Sequence, residues 1–119
     1  MKALQTILAL SVLAFGIEGA HAQYGFLSKE RSGVEFSESD RQMVAQSIRS
    51  VLDAGQVGGA DAWRNPDSGL SGETRLVETY SEGGVPCGRV DLQIRRRDKV
   101  MPFNLRFCRR SDGTWGIAG

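Results

Sequence analysis

One stretch of the chain places apolar residues at the spacing of a helix. Four of them recur every three or four positions: Val44, Ile48, Val51 and Leu52. This spacing makes one side of a helix apolar. Either of two serines can cap its start, each with a capping-box residue three positions on: Ser37 with Asp40, or Ser39 with Gln42. Gly55 can take the left-handed conformation that ends many helices, so the pattern predicts an amphipathic helix from about Glu38 to Ala54.

Further along, apolar and polar residues alternate, which is typical of strands with one apolar face. The alternation is clearest in two stretches. The apolar residues are Val90, Leu92 and Ile94 in the first stretch and Phe103, Leu105 and Phe107 in the second. Turn-forming residues separate the alternating stretches, as in Asn65-Pro66-Asp67-Ser68-Gly69. We predict strands at residues 62–63, 74–80, 85–95, 99–109 and 114–118. The predicted fold class is α+β, with an N-terminal amphipathic helix packed on an antiparallel meander of about four to five strands.

The two longest strands predict a specific pairing. If Arg97-Asp98 is a two-residue hairpin loop, Val90 lies opposite Leu105 and the two cysteines, Cys87 and Cys108, lie opposite each other. That position is a non-hydrogen-bonded pair with Cα atoms about 4.5 Å apart, a separation that a disulfide tolerates. Arg-Asp is a poor sequence for a tight hairpin turn, so a longer loop is the alternative. In the two-residue register the disulfide lies on the polar face of the sheet, away from the helix.

The first 22 residues have the pattern of a signal peptide. Lys2 precedes an apolar run at residues 7–15, and the small-x-small triplet Ala20-His21-Ala22 predicts cleavage after Ala22. The run is shorter than the roughly 20 residues of a membrane span, and no second run follows. We therefore predict a periplasmic or secreted chain with no transmembrane segment after cleavage, a flexible arm at residues 23–36 and one domain at residues 37–119. In an exported chain, two lone cysteines favour a disulfide.

Charge changes this picture only locally. The formal net charge is +1, so nothing indicates nucleic acid as a partner. The C-terminal part is nevertheless rich in basic residues: Arg89, Arg95, Arg96, Arg97, Lys99, Arg106, Arg109 and Arg110. These form either a solvated sheet face or a surface for bidentate contact with carboxylate or phosphate.

The residue inventory removes much enzyme chemistry. Cleavage after Ala22 removes His21, the only histidine, which excludes histidine bases, Ser-His nucleophiles and histidine-ligated zinc. A disulfide would remove thiolate catalysis. Acid-base chemistry by carboxylates is an alternative, but no spacing singles out a pair among Asp61, Asp67, Glu73 and Glu78. We therefore predict no catalytic residues, no cofactor and no metal site.

Four residues are candidates for binding instead. Trp63 ends the first predicted strand and Asn65 begins the turn that follows it, and Arg89 and Arg106 are expected on the polar face beside the disulfide. Aromatic residues often anchor a partner. For Trp63 and for Trp115 a position in the core is the favoured alternative.

Several motifs together resemble the C-terminal domain of the bacterial seventeen-kilodalton surface antigen family. The motifs are Trp63-x-Asn65-Pro66-x-Ser68-Gly69-x-x-Gly72, Tyr80, Cys87, Cys108-Arg109 and Asp112-Gly113-Thr114-Trp115-x-Ile117. The match covers roughly residues 39–118. The resemblance implies an α+β envelope domain of no established molecular activity, with a helix before the tryptophan motif.

The chain departs from this family at its leader. The predicted cleavage site carries no cysteine, and a glycine-zipper membrane segment is missing, so we expect no lipid anchor. In addition, Gly88 follows Cys87 where the family sometimes has arginine. The sequence predicts a non-enzymatic envelope module that binds an envelope protein or polymer. The alternative is a small periplasmic enzyme inhibitor or chaperone-like accessory protein.

Overall fold

A computed structural model describes residues 24–118 of the 119-residue chain. The predicted signal peptide, residues 1–22, lies outside the described residues. The described part divides into two compact units, residues 24–35 and residues 36–118. The first unit contains a 3-10 helix at Gly25–Leu27 and a short helix, α1, at Lys29–Ser32. These lie in the predicted arm, where the sequence has no clear period, and the mobility of that arm stays a prediction.

The second unit opens with α2, which spans Glu38–Ala54 as predicted. Of the two possible caps, Ser37 is the one used: its hydroxyl accepts from the Asp40 amide at 3.1 Å, and its own amide donates to Asp40 Oδ2 at 2.9 Å. Gly55 ends the helix with a φ of 65°. The helix is therefore the first element of this unit but follows α1 in the chain. Within residues 24–118, no helix is both long and apolar enough to cross a bilayer.

Five antiparallel strands follow and pair in chain order, which confirms the predicted meander. They are β1 Ala60–Asn65, β2 Leu70–Glu82, β3 Val85–Arg96, β4 Lys99–Arg109 and β5 Trp115–Ile117. β1 and β2 are longer than predicted. The additional residues of β2 are residues 70–73 and 81–82, and they pair with neighbouring strands. Their sequence does not alternate between apolar and polar residues, so the pattern did not predict them.

The predicted register of the central hairpin is confirmed. Val90 pairs with Leu105, Cys87 pairs with Cys108, and the two cysteines form a disulfide with Cα atoms 4.0 Å apart. The two-residue loop is also present, although its sequence is unfavourable for a turn. Arg97 takes a φ of 55°, a region that costs a side-chain-bearing residue about 1–2 kcal/mol.

The sheet has two distinct faces. α2 packs against one of them, which we call the helix face: a Cβ added to Gly88 on this face would lie 2.6 Å from Leu52 Cδ2. The core of the second unit consists of Phe36, which precedes α2, and of apolar residues of α2 and of this face: Val44, Ile48, Val51, Leu52, Leu70, Leu76, Val90, Leu92, Ile94, Met101 and Phe107. We call the opposite side the polar face, and it carries Arg64, Ser71, Arg95, Arg89, Arg106 and the disulfide.

Candidate functional site

The turn between β1 and β2 is held to the start of α2 by a buried polar cluster. Asn65 donates its side-chain amide to Asp40 Oδ1 at 2.8 Å and to the Ser39 hydroxyl at 3.0 Å. Ser68 donates its hydroxyl to the same Asp40 oxygen at 2.6 Å. The side-chain Oδ1 of Asn65 accepts from the Asp67 backbone amide at 3.1 Å, which stabilises the turn. The asparagine and serine of the predicted turn thus join two distant segments as well as shaping the loop.

The carboxylate of Asp40 is fully buried, so its ionisation depends on these contacts. Burial by itself raises the pKa of Asp40. The hydrogen bonds from Ser68, the Ser37 amide and Asn65 act in the opposite direction and together are stronger, so the pKa of Asp40 lies below its ordinary value of 3.8. The cluster therefore holds a buried negative charge at neutral pH.

A basic cavity lies beside this turn. It has a volume of about 380 Å³ and is lined by Arg64, Asn65, Pro66, Gly69, Ser71, Arg95 and Arg97. The register explains this composition. Ser71 of β2 pairs with Arg64 on one side and with Arg95 on the other, so the two arginines flank a serine across three strands of the polar face. We call this cavity the arginine pocket.

Among residues 24–118, no aspartate or glutamate lines the arginine pocket. Arg64, Arg95 and Arg97 are all exposed, and none forms a side-chain hydrogen bond or ion pair with any residue of the described range. The next residue of β2 on the polar face is Glu73, and its carboxylate already pairs with Arg75 at 3.1 Å. Three like charges kept together without internal partners attract anions.

The four candidate binding residues predicted from the sequence do not form one site. Trp63 lies on the helix face, where its ring covers Gly72; its indole Nε1 is buried and has no hydrogen-bond partner among residues 24–118. Asn65 is 1% exposed, and its side chain is used inside the protein. Arg89 and Arg106 are paired neighbours on the polar face, and Arg89 forms an ion pair with Glu78 at 3.5 Å.

The disulfide lies on the polar face, as the register required. Cys87 is nevertheless only 2% exposed, whereas Cys108 is half-buried, so the bridge is exposed from one side only. Glu82 lies close to both sulfurs, with the three candidate ligand atoms within 4.8 Å of one another. Because the sulfurs are joined to each other, neither is a thiolate that could bind a metal there.

The second tryptophan of the motif, Trp115, connects the last strand to the end of α2. Trp115 donates its indole N–H to Asp53 Oδ1 at 2.8 Å, which ties β5 to the end of α2. The guanidinium of Arg109 lies 5.0 Å from the ring centre of Trp115 and pairs with Asp53 at 3.4 Å. Trp115 is therefore a packing residue at the edge of the sheet.

The carboxylates considered for acid-base chemistry are partly engaged elsewhere. Glu73 pairs with Arg75, and Glu78 pairs with Arg89.

Three residues of the arginine pocket were not singled out as a site from the sequence: Arg64, Arg95 and Arg97. The excess of basic residues in the C-terminal part was visible, but Arg64 lies in the first strand, and only strand pairing brings it to the others.

Together these features define a small disulfide-bonded α+β domain with an arginine-lined pocket at one end of its sheet. No protein-family model, curated protein or solved structure matches the chain. The relationship to the surface antigen family stays a prediction that rests on the motifs described above.

Proposed function

We propose that this protein is a non-enzymatic binding module of the bacterial cell envelope, which recognises an acidic envelope polymer or protein through its polar sheet face. The observation that carries the proposal is the arginine pocket, where Arg64, Arg95 and Arg97 line one cavity and have no side-chain partner among residues 24–118. Arginine is the residue best suited to bind planar or tetrahedral oxyanions through two hydrogen bonds at once.

The scaffold supports a binding role. The pocket is built on three paired strands, and its turn is held by Asp40, so little order has to be gained when a partner arrives. The disulfide between neighbouring strands restricts the sheet further and is the kind of bond that forms in exported proteins. The resemblance to the surface antigen domain and the leader pattern support an envelope location.

A pull-down with the disulfide-bonded mature protein, residues 23–119, tests this proposal. Envelope extract is passed over immobilised wild type and over a variant in which Arg64 and Arg95 are both glutamate. We expect an acidic polymer or protein to be retained by wild type and lost from the variant. Retention of one stoichiometric enzyme by both forms would support the inhibitor alternative, and retention of nothing would contradict the binding proposal.

A further inference from the structure

The ligand of the arginine pocket follows from the charge and the geometry of its walls. We propose that the pocket binds a phosphate monoester group carried by an envelope molecule, an inference that rests on the proposed binding function and specifies its chemistry.

The register sets the spacing. Neighbouring strands lie about 4.8 Å apart, so the backbone positions of Arg64 and Arg95, which are separated by one strand, lie roughly 10 Å apart. Each arginine side chain is long enough to lean over the serine between them. An anion seated above Ser71 would meet a guanidinium from either side and the serine hydroxyl below, which forms no side-chain hydrogen bond with the described residues.

Arg97 is the third arginine that lines the cavity. It belongs to the hairpin turn between β3 and β4, and its φ of 55° sets it apart from the extended backbone of Arg95. Because Arg97 comes from the turn and the other two arginines come from two different strands, the three residues line the cavity from three separate places in the fold. Such an arrangement suits a tetrahedral ligand better than a flat one.

Charge and oxygen count favour phosphate over a carboxylate. A phosphate monoester carries a charge of about −1.5 to −2 at neutral pH and three acceptor oxygens, whereas a carboxylate carries −1 and two oxygens. Three guanidinium groups that have no partner in the described part of the chain can each bind one or two of the phosphate oxygens. A sulfate monoester has the same shape with a single charge, and it is therefore the sharpest comparison ligand.

The β1–β2 turn, which forms one wall of the arginine pocket, is ordered before a ligand binds. Pro66 restricts the backbone, Gly69 has a φ of 77°, and the Asn65 side chain is fixed by Asp40. The acids closest in sequence, Asp67 and Asp98, are exposed in the two flanking turns and do not line the cavity. A ligand thus meets an ordered basic wall, which lowers the entropic cost of binding.

Titration of the disulfide-bonded mature protein by NMR tests the inference. The probes are glucose 1-phosphate, inorganic phosphate, a sugar sulfate, acetate, and vesicles of phosphatidylcholine with or without phosphatidic acid. We expect saturable shifts at the amides of Gly69, Ser71, Arg95 and Arg97, with the phosphate monoester binding more tightly than the sulfate or acetate. Affinity is expected to fall below about pH 6, where the phosphate monoester dianion takes up one proton and becomes a monoanion.

The vesicle arm distinguishes the two sources of a phosphate monoester. Binding to phosphatidic acid vesicles but weakly to the soluble sugar phosphate identifies a lipid headgroup as the source. Strong binding of glucose 1-phosphate with no vesicle binding identifies a soluble or polymer-borne phosphate. Both results support a phosphate monoester site.

Charge-matched variants separate a site from general attraction. Arg64→Gln and Arg95→Gln are each expected to weaken the phosphate monoester roughly tenfold or more, because each removes charged hydrogen bonds. Arg49→Gln removes the same charge from an exposed position on α2 and is expected to leave affinity unchanged. Equal losses in all three variants, equal binding of phosphate, sulfate and acetate, or no saturable shift at the pocket amides would each overturn the inference.

Failure of this inference differs from failure of the proposed function. If the pull-down retains an envelope component through Arg64 and Arg95 but no phosphate monoester binds, the module stands and its ligand is another acidic group. If phosphate monoesters bind at the pocket while envelope extract yields no partner, the pocket stands and the envelope role fails.

Discussion

The side-chain amide of Asn65 donates to the buried carboxylate of Asp40 over 2.8 Å, although the two residues are 25 positions apart in the chain. Asp40 also completes the cap of α2 by accepting from the Ser37 amide. One carboxylate therefore begins the helix and holds the turn after β1. Because the same turn forms a wall of the arginine pocket, the shape of that wall depends on the helix cap.

Replacement of Asp40 is expected to destabilise the protein in a pH-dependent way. Asp40→Asn loses the buried charge that three groups donate to, and we expect about 1–2 kcal/mol less unfolding free energy at neutral pH. The pKa of Asp40 in the folded protein lies below its ordinary value of 3.8. The ionised carboxylate thus stabilises the fold fully above that value, and the contribution is lost as the pH falls through the folded pKa.

Urea unfolding of wild type and Asp40→Asn, from neutral pH to about pH 2, measures this effect. The two unfolding free energies should converge at the acid end. Asp98→Asn, at an exposed position in the hairpin turn, is the matched control and should follow wild type at every pH. A difference between wild type and Asp40→Asn that stays constant with pH would show that Asp40 does not act through its charge.

Gly72→Ala is expected to displace the ring of Trp63. A Cβ at this position would lie 2.6–2.8 Å from three atoms of the indole, closer than van der Waals contact permits. We expect a loss of about 1–3 kcal/mol, typical of overpacking, together with a change in tryptophan fluorescence. Gly25→Ala, which places its Cβ in open space, is the control. Unchanged stability of Gly72→Ala would mean that the ring has room to move.

Arg97→Gly is expected to have opposite effects on stability and on anion binding. Glycine takes a φ of 55° without steric cost, so the hairpin should gain about 0.5–1 kcal/mol after the greater freedom of glycine in the unfolded chain is deducted. The same change removes one guanidinium from the arginine pocket, so affinity for a phosphate monoester should fall. Thermal unfolding and titration measure the two effects. Asp98→Gly, where no positive φ is adopted, should gain no stability.

The disulfide is expected to contribute about 3 kcal/mol, because it closes a loop with a sequence separation of 21 residues. The double replacement of Cys87 and Cys108 by serine should lower the unfolding free energy by that amount. A reductant should lower it for wild type but leave the double variant unaffected. Thiol labelling of denatured, unreduced protein should find no free cysteine, and substantial labelling would contradict the bond.

Export is tested by the mass of the mature protein. We expect the protein isolated from the periplasm or the medium to begin at Gln23 and to carry no lipid. A retained leader or a lipid adduct would contradict the predicted cleavage after Ala22.

The sequence alone determined the span of α2, the order of the five strands and the register of the central hairpin. The end of α2 at Gly55 and the pairing of Cys87 with Cys108 follow from local signals, which also narrowed the cap of α2 to Ser37 or Ser39. Each depends on residues within one helix or one hairpin, where periodicity and turn chemistry act over short distances.

Only the tertiary structure decided the pocket and the burial of Asp40. Arg64 and Arg95 lie on either side of Ser71 because β2 pairs with β1 on one side and with β3 on the other. The sequence pattern of β2 did not predict that these pairings extend as far as Ser71. From the sequence, Asp40 is predicted only as a possible capping-box residue at the start of the helix. It becomes a buried charge because the β1–β2 turn docks on it, and that contact between distant segments depends on how the helix packs on the sheet.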